Sequence, residues 1–89
     1  MKATEVLEEC SRILAERGAQ RDKPNGERAM PLCIELFRLR TGLALSEQQG
    51  YIFMECLKQA REANGTGFNP DDIVDQINYL ALRLESMTE

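Results

Sequence analysis

The chain has no histidine. That absence removes imidazole general bases, Ser-His-Asp and Cys-His nucleophiles, and most catalytic zinc sites. The three cysteines, Cys10, Cys33 and Cys56, are widely spaced, and no CxxC pair is present. An odd count at such spacing argues against a disulfide framework and against a structural zinc site. Reduced thiols at small apolar positions are the expected state, as in a cytoplasmic protein. No apolar run approaches the length needed to span a bilayer, and Met1-Lys2-Ala3-Thr4-Glu5 has no apolar leader core. Positive charge is also in short supply: 11 Lys and Arg face 15 Asp and Glu, a net charge of −4. Broad, non-specific nucleic-acid binding depends on phosphate neutralisation and is disfavoured at that balance.

What is present is helical periodicity. With 89 residues, 43% hydrophobic and 29% charged, the chain has the composition of a single soluble domain with a small core. Four helices are expected, over residues 4–17, 27–40, 47–63 and 70–86, joined by a basic loop at 18–26. The first presents Val6, Leu7, Cys10, Ile13 and Leu14 on one face, with Gly18 as its C-cap. Pro24-Asn25-Gly26 signals a turn. The second begins near Glu27, accommodates Pro31 close to its start, ends at Gly42 and is apolar on more than one side. Ser46 and Gln49 form a capping box for the third, whose core line reads Phe53, Leu57 and Ala60. Ile73, Ile77, Leu80 and Leu84 share a face of the fourth, with Leu82 nearly opposite. No strand pattern competes. The expected fold is all-α: a four-helix, bundle-like single domain completed by homo-oligomerisation, because so short a chain buries little on its own.

Three groups of residues carry possible chemistry. Asn69 and Pro70 are N-cap and first-position residues for the last helix, and Asp71, Asp72 and Asp75 follow on its first turns. Carboxylates three and four apart repel unless a cation lies between them. Magnesium is one such cation, since it favours oxygen ligands. A lysine or arginine is another, and solvated helix-start charge is the plainest reading. On the third helix Glu55, Lys58 and Glu62 share a face, either as ligands with a phosphate-binding ammonium or as an ion-pair ladder. The basic loop holds Arg21 and Lys23 between Arg17 and Arg28; its guanidinium groups suit phosphate oxygens, as do the free N–H groups at Gly26-Glu27. Tyr51 and Tyr79 are read as packing residues.

Taken in order, Arg21-Asp22-Lys23-Pro24-Asn25-Gly26-Glu27-Arg28-Ala29-Met30, Thr41-Gly42, Leu45-Ser46, Phe53-Met54, Leu57-Lys58-Gln59-Ala60-Arg61, Asp71-Asp72, Asp75 and Tyr79 form a linked set. That set resembles a group of small all-α proteins of tailed phages and prophages. The group is in turn distantly similar to the MazG-like nucleotide pyrophosphohydrolases, helical oligomers that use helix-borne acids and magnesium to cleave nucleoside triphosphates. The resemblance implies Asp72, Asp75 and Glu55 as metal ligands, and Lys58, Arg61, Arg21, Lys23 and Arg28 as phosphate-binding groups. Lys58 stands where the family places a second acid three residues after the first. No catalytic base is assigned. Two readings are open at this point: a magnesium-dependent nucleotide hydrolase or nucleotide-binding relative, and a non-enzymatic phage accessory protein that binds a host or phage protein.

Overall fold

The structure is a computed structural model and describes residues 1–24, 26 and 28–88. Four helices account for the fold: α1 (Ala3–Arg21), α2 (Met30–Thr41), α3 (Glu47–Asn64) and α4 (Pro70–Thr88). There is no strand among the described residues, and the all-α, four-helix expectation is met. Close packing joins α3 to α4, α1 to α4 and α2 to α3. The short connection at residues 65–69 turns α4 back along α3, as in an antiparallel αα-hairpin.

Local chemistry explains most boundaries. Ser46 accepts from the Gln49 N–H, and Gln49 accepts in return from the Ser46 N–H, so the capping box of α3 is complete. The Asn69 side-chain oxygen accepts from the Asp71 N–H at 3.1 Å, which caps α4 across Pro70. Gly42 takes a left-handed conformation, φ 77°, and donates to the Arg38 carbonyl to close α2. Two boundaries differ from expectation. Helix α1 passes through Gly18 and runs one turn further, to Arg21. A Cβ at Gly18 would stand a tight 3.1 Å from Asp22 Oδ2. Helix α2 starts at Met30, with Pro31 in its first turn. The expected start at Glu27, the turn residue Asn25 and the anion-holding N–H groups at Gly26-Glu27 involve positions outside the described residues. A second close approach occurs at Gly50, where a Cβ would meet Met30 Sδ at 2.5 Å and Ile34 Cγ2 at 3.1 Å. The glycine lets α2 lie against α3.

The distribution of side chains departs furthest from expectation. The buried apolar core contains only Cys10 and Tyr51 among the described residues, whereas Glu55, Asp75 and Asn78 are buried. The expected core line of α3 is turned outward: Phe53 is 67% exposed and Ala60 is also exposed, with Leu57 half-buried. Cys33 and Cys56 are exposed, so of the three cysteines only Cys10 behaves as a core residue. On α4, Ile73, Leu80, Leu84 and Met87 are exposed and Ile77 half-buried. Their spacing of four, three, four and three residues is that of the heptad seam of a coiled coil, and the chain covers it only in part. On α2, Leu32, Leu36 and Leu39 repeat the pattern and are equally exposed. The total accessible surface is 6678 Å², against about 5300 Å² expected for a folded monomer of this mass.

Candidate functional site: the polar seam between α3 and α4

Helices α3 and α4 meet through their polar faces. Glu55, Lys58 and Glu62 of α3 stand one turn apart, and each finds a partner on α4. Arg83 holds Glu55 with a two-pronged contact, Nε to Oε2 at 2.8 Å and Nη2 to Oε1 at 3.2 Å. Lys58 Nζ lies 2.9 Å from Asp75 Oδ2. The Gln76 side-chain amide donates to Glu62 and to the Asp72 carbonyl. From α1, Arg17 Nη1 reaches the other Asp75 oxygen, Oδ1, at 2.6 Å. Asp75 therefore sits between two cations supplied by two other helices and is only 6% exposed. Burial alone would raise the pKa of its carboxyl. The hydrogen bonds from Lys58 and Arg17 outweigh that effect and hold it below the ordinary value.

These contacts answer the question posed by the aspartates after Pro70. Asp71 is exposed, Asp72 half-buried and Asp75 buried, so the three do not form one charged face. The cation beside Asp75 is Lys58 with Arg17. The expected metal set of Asp72, Asp75 and Glu55 does not assemble as such: both oxygens of Asp75 and both of Glu55 are engaged by basic side chains. Among the described residues no group of three or more acidic or thiol side chains is arranged to hold a metal ion. A magnesium ion here would have to compete with Lys58, Arg17 and Arg83 for Asp75 and Glu55.

Of the expected phosphate-binding residues, Arg21 and Arg28 share the lining of one cavity, and Lys58, Arg61 and Lys23 are not part of it. Lys58 is committed to Asp75. Arg28 bridges Asp22 and Glu85 at 3.2 Å each, tying the loop after α1 to the last turns of α4. Arg61 is exposed near the end of α3. Arg21 is exposed at the end of α1, and Lys23 is exposed in the loop beyond it.

A cavity of about 280 Å³ opens beside this seam, walled by residues from all four helices. Arg17, Asp75, Asn78 and Tyr79 contribute from α1 and α4, Met30 from α2 and Tyr51 from α3. The Asn78 amide nitrogen is buried with no hydrogen-bond acceptor, the one such side-chain atom among the described residues. Tyr51 is 4% exposed, and burial pushes its phenol pKa up, so it stays neutral. Sequence reasoning left out Arg83 and the pairing of Arg17 with Asp75. The available signal was that α3 carries acid, base, acid on one face while the facing side of α4 carries acid then base. An antiparallel arrangement brings opposite charges together.

No helix among the described residues is long and apolar enough to cross a membrane. Comparison of the chain with models of protein families, with curated proteins and with solved structures finds no match.

Proposed function

We propose that the chain is a self-associating helical protein that binds a protein partner and has no catalytic role of its own. The observation that carries this reading is the exposed seam Ile73, Ile77, Leu80, Leu84 and Met87 on α4. Five apolar side chains at heptad spacing extend over about 21 Å of helix. Left in water they form a continuous apolar strip of the kind that marks an interface. A second copy of the same chain is the proposed occupant, because it presents the same heptad seam. The surface exceeds the monomer expectation by roughly 1,400 Å², more than the ~800 Å² that each partner gives up in a standard interface. The shorter leucine row on α2, Leu32, Leu36 and Leu39, remains for a different protein, of the phage or its host, through a helix-in-groove contact.

Sedimentation equilibrium tests the self-association. The wild type is expected to sediment as a dimer or larger assembly, and the Leu80→Glu, Leu84→Glu double variant as a monomer or an unfolded chain. A wild type that stays monomeric at millimolar concentration removes the reading.

Magnesium-dependent pyrophosphohydrolysis of a nucleotide is the competing proposal. What supports it is the placement of Glu55, Glu62, Asp72 and Asp75 on two adjacent antiparallel helices. It requires Asp75 and Glu55 to give up Lys58, Arg17 and Arg83. A panel of dNTPs and NTPs with magnesium, assayed for pyrophosphate release, decides between the two. Turnover that disappears in Asp75→Asn overturns the non-enzymatic reading.

A further inference from the structure

We infer that the cavity between the four helices is a binding site for a small organic anion with an apolar, ring-sized body. This goes beyond the protein-binding reading and is independent of it. The volume, about 280 Å³, is roughly twice the ~150 Å³ of an apolar cavity that accepts benzene. It therefore has room for a ring and an acidic group. Leu14, Tyr51, Met54, Tyr79 and Leu82 provide apolar wall. The charged wall residues are Arg17, Arg21 and Arg28 against Asp22 and Asp75, three cations to two anions, in a chain whose net charge is −4. Adding the outer partners Lys58 and Glu85 leaves the excess at one positive charge.

The second observation is Asn78. It lines the cavity, is 7% exposed, and its amide nitrogen has no acceptor in the protein. A buried donor without a partner is unfavourable, and an apolar wall cannot satisfy it. Asn78 lies three residues after Asp75 on the same helix, so the Arg17 guanidinium held on Asp75 stands about one turn away. A half-turn of the Asn78 amide brings its nitrogen, here closed to solvent, toward the cavity; an entering carboxylate then accepts from it with a fixed positive charge close by, while its ring lies against the tyrosines and leucines. Arg21, Ala29 and Cys33 are exposed members of the lining and form the mouth.

The test uses benzoate as the probe, with benzyl alcohol as its neutral counterpart. Two readouts are followed on the full chain: the Asn78 side-chain NH₂ signals in a ¹H–¹⁵N correlation spectrum, and the rate of iodoacetamide alkylation at Cys33. Cys56, exposed and not part of the cavity lining, is the internal control. Benzoate is expected to shift the Asn78 signals saturably and to slow alkylation at Cys33 but not at Cys56. Benzyl alcohol is expected to bind at least about tenfold more weakly, the worth of one hydrogen bond to a charged group. Asn78→Leu and, separately, Arg28→Lys are expected to weaken benzoate while Cys56 reactivity is unchanged. Absence of a saturable benzoate shift, with the Asn78 amide meeting only water, overturns the inference. So do equal affinities for the acid and the alcohol, or full benzoate affinity in Asn78→Leu.

Discussion

The inner and outer faces of α3 and α4 are made from one stretch of sequence and differ in every physical respect. The inner seam buries Glu55, Asp75 and Asn78, with Lys58 half-buried, and is held by specific, directional contacts. The outer faces carry Phe53, Ile73, Leu80 and Leu84 and are covered only in part by the chain, with Leu84 60% exposed. Ion pairs fix geometry but contribute little net stability, because desolvation offsets most of their attraction. Apolar burial contributes stability but little geometry. The seam thus specifies how the two helices lie, while the apolar faces hold the free energy still to be gained by association.

The comparison can be broken at either face. The largest effect is expected outside. Leu80→Glu with Leu84→Glu places two charges in the heptad seam and is expected to abolish the proposed self-association. If folding depends on assembly, the thermal transition falls by an amount corresponding to about 3–5 kcal/mol, two leucines' worth of burial. Calorimetry at several protein concentrations reads this directly, since an associating wild type has a concentration-dependent Tm. Inside the seam, Asp75→Asn leaves Lys58 and Arg17 without their common carboxylate. A loss of about 2–3 kcal/mol is expected by urea unfolding, less than the ~3–5 kcal/mol for a fully buried pair, because Arg17 is partly solvated.

The same carboxylate gives a pH signature. Its folded pKa lies below the ordinary 3.8, so its contribution is fully present above that value and is lost as pH falls through the folded one. Urea midpoints measured between pH 5 and pH 2 are expected to fall in the wild type, and Asp75→Asn is expected to flatten part of that decline. The smallest effect is a gain. Asn78→Leu removes the donor without an acceptor and is expected to stabilise the fold by about 1 kcal/mol, read as a raised urea midpoint at unchanged slope. A destabilised Asn78→Leu would mean that the amide is satisfied in solution.

The sequence makes the helices legible because their signals are local. The Ser46–Gln49 box, Asn69-Pro70 and Gly42 each act through atoms within a few residues, and all three stand where periodicity placed them. A glycine near a helix end usually marks a cap, whereas Gly18 lies inside α1, which continues to Arg21. The candidate site was half legible. Asp75, Glu55 and Lys58 do come together at one seam, but as ion-pair partners with Arg17 and Arg83. Those pairings span 58 and 28 residues and depend on which faces of the helices meet. Periodicity finds an apolar face but not what covers it. Phe53 and Leu80 were therefore assigned to a core that the single chain does not form.

In the proposed assembly the outward seam of α4 is covered by another copy of the same chain. The most direct measurement is an isotope-filtered NOE experiment on a mixture of ¹³C-methyl-labelled and unlabelled protein. Contacts between the methyl groups of Ile77, Leu80 and Leu84 in one copy and α4 protons of the other are the predicted result. A folded sample with no intermolecular contacts at these methyls contradicts the account.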